Sequence, residues 1–218
     1  MAKSATVPQT FPTYFQVRRY RGEAPDHFTG FPVVCGRDEL MTAQLKGRNR
    51  ILEVGAGDRP FLTNFPGTYK TMDVDPSQKH DFYSVEEINE RFDAVLMREV
   101  VEHISHDVFF SYLAKFAQIL APGGVLVLST PNPWAGGTVF AYDYTHISPW
   151  NMRDMYSVLR CYGFQPVEIY RIIWPSRVQW LKKAYWSVHS RFYHLDYAGG
   201  YVAIARVGSV PHHPKAIL

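Results

Sequence analysis

The chain has 218 residues, of which 46% are hydrophobic, and its formal net charge is +3 at pH 7. This size predicts one domain with a substantial core, and the small charge, without long runs of lysine and arginine, argues against nucleic acid as a partner. The two cysteines, Cys35 and Cys161, lie far apart without clustered histidines, so neither a disulfide framework nor a metal site is expected. Because no apolar segment resembles a signal core or a membrane span, we expect a cytoplasmic protein.

An irregular N-terminal segment precedes a regular alternation of elements. Residues 1–30 are rich in proline, threonine, arginine and aromatics, which predicts an arm or lid that rests on a domain over residues 31–210, with a tail over 211–218. The first ten residues are expected to be mobile. Apolar runs of strand length follow at Ile51–Val54, Tyr69–Asp73, Phe92–Met97, Val125–Thr130, Pro166–Ile173 and Tyr201–Val207. Their alternation with turn signals and helical patterns predicts a parallel α/β sheet.

The segment ILEVGAGDRP, residues 51–60, is the clearest ligand-binding signature. Gly55 and Gly57 let the backbone approach a ligand, because glycine has no Cβ, and Pro60 is placed to begin a helix. The dinucleotide pattern G-x-G-x-x-G has a third glycine where this chain has Pro60, which disfavours a nicotinamide or flavin cofactor. Glu53, before the loop, indicates instead a ligand with a cationic group. A glycine-rich turn without a ligand is the simpler alternative.

This acid-x-G-x-G loop resembles the first motif of class I S-adenosylmethionine-dependent methyltransferases. The resemblance implies a Rossmann-like sheet that is mostly parallel with an antiparallel last strand, with helices on both faces. It also implies that S-adenosyl-L-methionine is the cofactor, and that Glu53, Gly55, Ala56 and Gly57 contact it. Arg59 stands where the family more often has glycine, and its side chain either leans out to solvent or reshapes the pocket.

The next strand reads YKTMDVDP and ends in Asp73, 20 residues after Glu53. A carboxylate at this point can accept hydrogen bonds from both ribose hydroxyls of a nucleoside, so Asp73 is the first candidate and Asp75 the second. Val74 is expected to contact the cofactor beside Asp73. An aspartate at a strand end is also a common turn or cap residue, which is the structural alternative.

The chain between Asp73 and Phe92 is too short for a full helix, strand and connections. The third strand of the sheet is therefore expected to be short or vestigial. The family places groups against the adenine in this region, and Phe82 or Tyr83 is expected to stack on the base. Packing of these rings in the core is the alternative.

The segment FDAVLMREVVEHI, residues 92–104, makes the resemblance more specific. It is similar to the small-molecule branch that contains ubiquinone-biosynthesis-like O-methyltransferases. The resemblance implies that the backbone at Met97 and Arg98 faces the methionine end of the cofactor. It also places His103 near the methyl-transfer cleft, although a surface or packing role is equally compatible with the sequence. The run LAPGGVLVLSTPNPW, residues 120–134, matches the turn and fifth strand of the same family.

Two helices are predicted between the later strands. Apolar residues at helical spacing predict a helix from Ser105 to Ala121, which the sequence Pro122-Gly123-Gly124 ends. Ser148-Pro149 is expected to open the second helix, and Gly163 to close it.

The segment AYDYTHISPW, residues 141–150, resembles the D-x-T-H segment of many small methyltransferases. His146 is the candidate general base, because an imidazole can take a proton from a hydroxyl near neutral pH. Asp143 is expected to orient His146 or to contact the substrate. The alternative is that His146 caps the helix or packs the loop. Because the sulfonium methyl is already activated, alignment of the reactants alone can supply much of the acceleration.

The segment from Ile169 to Leu195 is basic, aromatic and free of carboxylates. Apolar residues at three- and four-residue spacing predict an amphipathic helix at about 174–195. Packing on the sheet, a cover over the substrate or a homodimer contact, and binding to an anionic membrane surface are the three alternatives for this helix.

These motifs predict a methyltransferase that acts on an oxygen or nitrogen of a small molecule, such as a sugar, a phenol or another metabolite of a biosynthetic pathway. A nicotinamide-dependent oxidoreductase shares the fold and is one alternative. A non-catalytic binding subunit that kept the fold is the other, supported by Arg59 and by the shortened middle section.

Overall fold

A seven-stranded sheet forms the centre of the computed structural model, which describes residues 11–135, 140–174, 185, 188–190 and 192–208. The strands in chain order are β1 (Val33–Cys35), β2 (Arg50–Val54), β3 (Thr68–Met72), β4 (Phe92–Arg98), β5 (Leu120–Pro131), β6 (Phe164–Ile173) and β7 (Gly200–Val207). Their order across the sheet is β1-β6-β7-β5-β4-β2-β3.

Only β7 runs against its neighbours in this sheet, pairing antiparallel with β5 and β6, while the other pairs are parallel. The predicted fold class is confirmed. The central strands are apolar on both faces because each face is covered: Val95 and Leu96 of β4 project to opposite sides and both are fully buried. The short edge strand β1 was not predicted from the sequence.

Apart from the helical residues between 185 and 193, the described ranges contain four α-helices: α1 (Tyr14–Arg21), α2 (Arg37–Leu45), α3 (His106–Ile119) and α4 (Met152–Cys161). Helix α3 confirms the predicted apolar stripe, since Phe109, Leu113 and Phe116 are buried. It ends at Ile119, earlier than predicted, because β5 begins at Leu120, and Gly123 lies inside that strand with φ +74°.

Helix α4 begins later than predicted from Ser148-Pro149. Asn151 is its N-cap, and its side-chain oxygen accepts a hydrogen bond of 2.9 Å from the Asp154 N–H. Gly163 follows the helix with φ +85°, a left-handed conformation that glycine adopts without steric cost, and this confirms the predicted helix end.

The helix predicted to begin at Pro60 is wrong: residues 55–67 form an irregular loop between β2 and β3. A second proline at Pro66 and the left-handed backbone of Asn64, with φ +58°, are incompatible with a continuous helix there. Phe61, Leu62 and Phe65 of this loop instead pack against the apolar face of the sheet. The loop therefore covers the sheet where a helix was expected.

The third strand expected after Asp73 is reduced to one isolated parallel bridge between Met72 and Phe82. This agrees with the prediction of a vestigial strand.

The N-terminal segment packs against the domain through α1, which lies on α4. Arg153 of α4 donates to the backbone carbonyl of Arg21 at 3.0 Å, and Phe28 is buried in the main core. The boundary at residue 30 stays a prediction, and the expectation for the first ten residues concerns a part of the chain outside the described ranges.

The helix predicted at about 174–195 also lies largely outside the described residues. Within it, residues 185, 188–190 and 192–193 are helical. In the part of the chain that is described, no helix has the length and apolar character needed to cross a bilayer.

Candidate functional site

The candidate site lies at the carboxyl edge of the parallel strands, where ligands of open α/β sheets bind. Strands β2, β3, β4 and β5 all end at this edge, and the loops that follow them carry nearly all the predicted site residues.

The glycine loop after β2 is shaped by two glycines in left-handed conformations. The Gly55 N–H donates to the Met72 carbonyl at 2.8 Å, and φ is +73°. A Cβ on Gly55 would lie 2.3 Å from Cγ2 of Val100, so this position requires glycine. Gly57 has φ +54°, but a Cβ there would meet no atom within 4 Å. The space beside Gly57 is therefore open to a ligand.

Asp73 lies against this loop. Its Oδ2 accepts a hydrogen bond of 2.9 Å from the Gly57 N–H, and its Oδ1 accepts one of 3.0 Å from the Asp75 N–H. Each oxygen keeps a second lone pair for a ligand hydroxyl. The structure thus brings the predicted ribose acceptor to the predicted cofactor loop, while Ala56 is buried beside them and Val74 is exposed.

Glu53 is 1% exposed and uses one carboxylate oxygen to hold the loop. Oε2 accepts from the Phe61 N–H at 2.8 Å and from the Tyr69 hydroxyl. Oε1 is buried and meets no hydrogen-bond donor among the described residues. Burial raises the pKa of Glu53, and the hydrogen bonds from Tyr69 and Phe61 oppose that shift.

Arg98 holds the outer part of the same loop. Its Nη2 donates to the Arg59 carbonyl at 3.0 Å, and its guanidinium lies 5.3 Å from the centre of the Phe61 ring. The Arg59 side chain is 87% exposed, so it leans out to solvent and does not reshape the pocket. Met97 is fully buried. The predicted backbone contacts of Met97 and Arg98 with the cofactor stay predictions.

The two adenine candidates, Phe82 and Tyr83, lie at and directly after the isolated bridge beside β3. The Asp73 N–H donates to the Phe82 carbonyl at 3.2 Å, and Lys70 Nζ lies 5.2 Å from the centre of the Phe82 ring. Tyr83 is 39% exposed and its hydroxyl donates to the Gln78 carbonyl at 3.1 Å. Stacking on a base stays a prediction for both rings.

The predicted catalytic residues come together in one cluster. The ring centres of His103 and His146 are 4.7 Å apart. Thr145 Oγ1 donates to Asp143 Oδ1 at 2.6 Å, so Thr145 is left to accept the Nδ1–H of His103 at 2.8 Å. Asp143 therefore orients His103 through Thr145, whereas the Phe140 carbonyl, 2.8 Å from Nδ1 of His146, orients that ring.

These hydrogen bonds assign the tautomers of both rings. Since a carbonyl oxygen only accepts, Nδ1 of His146 carries a proton, as does Nδ1 of His103. Each neutral ring then has a free lone pair on Nε2, which is the atom that can accept a proton or bind a metal ion.

Glu102 completes the cluster from the buried side. Thr130 donates to its Oε2 at 3.0 Å, and Oε1 has no hydrogen-bond donor within the described residues. Burial, with a contribution from the charge of Glu99, raises the pKa of Glu102 to about 8. One ligand atom each from Glu102, His103 and His146 lies within 4.8 Å of the others. This histidine cluster has the donor set of a divalent transition-metal site, although the sequence predicts none.

Arg37 and Thr145 contact residues at this edge of the sheet, and sequence reasoning singled out neither. The Arg37 guanidinium lies 3.2 Å from Glu99 Oε1, and Ser129 donates to the same oxygen at 2.6 Å. Arg37 stands on α2, far from Glu99 in the chain, so no local pattern indicates the pair. Thr145 was within the D-x-T-H segment, where its position between Asp143 and His146 was the available signal.

A cavity of about 120 Å³ lies between the N-terminal segment and α4. Its lining includes Arg21, Asp26, His27, Phe28, Trp134 and Arg153. Trp134 follows the carboxyl end of β5, which places the cavity at the same edge of the sheet as the histidine cluster. His27 also joins the arm to a distant segment, since its Nε2 lies 3.3 Å from Nδ1 of His194.

Comparisons with known proteins agree on the kind of domain. The sequence profile of a methyltransferase-domain family matches residues 34–169. Ubiquinone biosynthesis O-methyltransferase of Cereibacter sphaeroides is 30% identical over 121 residues, which cover 50% of this chain and 46% of that protein. The mitochondrial ubiquinone biosynthesis O-methyltransferase of Mus musculus is 43% identical over 70 residues, covering 30% of this chain and 18% of that protein. The chain thus spans less than half the length of these curated relatives.

Among solved structures, a SAM-dependent methyltransferase from Archaeoglobus fulgidus superposes with a TM-score of 0.62 at 19% identity. The match covers 78% of this chain and 95% of the other. At this identity the likeness shows a shared fold.

Proposed function

Because this chain belongs to the family of S-adenosylmethionine-dependent methyltransferases, we propose that it transfers the sulfonium methyl group to an oxygen or nitrogen of a small-molecule acceptor. The observation that carries the proposal is the junction of Gly57 and Asp73, where an open glycine loop and a strand-end carboxylate meet at the carboxyl edge of the sheet.

In this proposal the cofactor lies across that junction. The Asp73 carboxylate accepts hydrogen bonds from the ribose hydroxyls. Because Gly57 has no side chain, the nucleoside can approach its backbone closely. The buried Oε1 of Glu53 supplies a negative partner for the amino group of the methionine moiety. Phe82 or Tyr83 stacks on the adenine.

The chemistry requires little from the protein beyond alignment. A lone pair of the acceptor forms the new bond to the methyl carbon while the carbon–sulfur bond breaks, and the sulfur leaves as the neutral thioether of S-adenosylhomocysteine. The acceptor then loses its proton. Nε2 of His146 or of His103 is the proposed proton acceptor, since the hydrogen bonds at Nδ1 leave both atoms with free lone pairs.

The cavity beside Trp134 and His27 is the proposed place for the acceptor, together with the loop around Asp143 and the segment at about 174–195. A sugar, a phenol or another metabolite fits the proposal, and the O-methyltransferase relatives favour an oxygen acceptor. We also propose that the protein works in the cytoplasm, in small-molecule biosynthesis. A homodimer stays a prediction.

A comparison of ligands by thermal shift tests the proposal against its alternatives. S-adenosylhomocysteine is expected to raise the melting temperature because it binds only the folded state, and NAD is expected to leave it unchanged. Stabilisation by NAD alone would favour the oxidoreductase. If S-adenosylhomocysteine gave no shift and no binding by calorimetry, the non-catalytic subunit would become the better account.

A further inference from the structure

Tyr69 of β3 stands beside Glu53 of β2. The parallel register pairs Tyr69 with Ile51 and Thr71 with Glu53, and residues two apart on a strand share a face. Tyr69 and Glu53 therefore project from the same face, and the Tyr69 hydroxyl donates to Oε2 of Glu53. The same hydroxyl accepts a hydrogen bond of 3.2 Å from the Leu62 N–H.

The two oxygens of the Glu53 carboxylate have unequal surroundings. Oε2 receives both donors, the Tyr69 hydroxyl and the Phe61 N–H, whereas Oε1 is buried without a donor in the described ranges. Two donors on one oxygen fix the plane of the carboxylate and keep it from rotating. A buried acceptor without a partner is costly, so its presence at a ligand-binding edge indicates a donor that arrives with the ligand.

We propose that Tyr69 is a positioning residue for the cofactor, which holds Oε2 of Glu53 so that Oε1 stays free for the amino group of the methionine moiety. Tyr69 acts only through Glu53 and makes no contact with the cofactor. This inference rests on the proposed function, because it assigns the partner of one group of the same cofactor.

The pKa shifts of Tyr69 and Glu53 support these two roles. Burial raises the pKa of the Tyr69 hydroxyl, as does its hydrogen bond to Glu53, so the hydroxyl keeps its proton and remains a donor. Its hydrogen bond in turn opposes the rise in the pKa of Glu53 that burial causes. The carboxylate that a cationic amino group requires is thereby favoured.

The test uses two ligands that differ in the amino acid moiety, which carries the amino group. S-adenosylhomocysteine carries the amino acid moiety, whereas 5′-methylthioadenosine keeps the adenine, ribose and thioether but lacks it. Tyr69→Phe is expected to weaken the binding of S-adenosylhomocysteine about fivefold in calorimetry, the order expected from losing one ordinary hydrogen bond, and to leave the affinity for 5′-methylthioadenosine unchanged. Tyr170 of β6 packs against the same group of buried apolar side chains as Tyr69. Tyr170→Phe is therefore the matched control, and it is expected to change neither affinity.

A loss of affinity for both ligands in equal proportion would overturn the inference, because it would show that Tyr69 only supports the loop. Unchanged affinity for S-adenosylhomocysteine would overturn it as well. Glu53→Gln provides a second variant, expected to show the same selective loss. If the wild-type chain bound neither ligand, the proposed function would fail and this inference with it, an outcome separate from the other two.

Discussion

Substituting Gly57 with alanine separates a ligand-binding role of the glycine loop from a purely conformational one. The added Cβ would meet no protein atom within 4 Å, so the only cost in folding free energy is that of placing alanine at φ +54°. That conformation costs about 1–2 kcal/mol, which lowers the melting temperature of a domain of this size by roughly 2–4 °C per kcal/mol. The variant is therefore expected to fold.

Binding of S-adenosylhomocysteine is expected to suffer more than stability. If the cofactor lies against the bare backbone at Gly57, the new methyl group overlaps it, and overpacking of this kind costs about 1–3 kcal/mol. The dissociation constant measured by calorimetry is then expected to rise by roughly 5- to 150-fold.

Gly47→Ala is the matched control, because Gly47 has φ +76° and the same open space, but precedes β2 at the opposite edge of the sheet. It is expected to lose similar stability and no affinity. Equal dissociation constants for the two variants would refute the reasoning that the cofactor approaches the loop at Gly57.

Three further results are expected. Asp73→Ala is expected to weaken S-adenosylhomocysteine at least tenfold, since the ribose would lose about 1.5–3 kcal/mol of hydrogen bonding to a charged group. Asp75→Ala is expected to leave the calorimetric affinity within about twofold of wild type, because the Asp75 side chain is exposed. Equal losses in the two variants would reassign the ribose contact. Affinity for S-adenosylhomocysteine is expected to fall as the pH is lowered, because protonation removes the negative charge of Glu53. Since burial raises the pKa of Glu53, this fall begins at a higher pH than for an ordinary carboxyl group, and a flat profile for wild type, or the same profile in Glu53→Gln, would contradict it. EDTA is expected to leave affinity unchanged, because the histidine cluster shares no residue with the predicted cofactor contacts; a loss restored by Zn²⁺ would contradict that separation.

The sequence predicted most accurately the strands that are buried on both faces. Strands β4 and β7 lie inside the sheet with both faces covered, so a continuous apolar run suffices to identify them. Strand β1 has only three residues, Val33–Cys35, of which two are partly buried and Cys35 is exposed, and it forms by pairing with the edge of β6. That pairing joins segments more than a hundred residues apart, and no local pattern records it.

The glycine loop shows where a local rule gave the wrong structure. Pro60 suits the first turn of a helix, but the partly buried Phe61 and Phe65 after it pack against the sheet, and the Phe61 N–H donates to Glu53. Tertiary packing decided this segment, and intrinsic preference did not. The glycines at positions 55 and 57 were still predictable, since both have positive φ and a Cβ on Gly55 would overlap Val100.

The sequence motifs identified the residues His103, Asp143 and His146 but did not predict the contacts between them. The motifs follow strands that end at the same edge of the sheet, so both histidines were expected there. The Thr145 hydroxyl donates to Asp143 and contacts His103, so Asp143 orients His103 and not His146 as expected. The contact between Thr145 and His103 forms only when two loops that are distant in the chain fold together, so no local pattern predicts it.

A crystal structure with bound S-adenosylhomocysteine tests the central claim most directly. We expect the ribose hydroxyls within hydrogen-bond distance of Asp73, the nucleoside against the backbone of Gly57, and the amino group beside Oε1 of Glu53. Density for the ligand at another edge of the sheet, or a ribose without contact to Asp73, would contradict the assignment of this site.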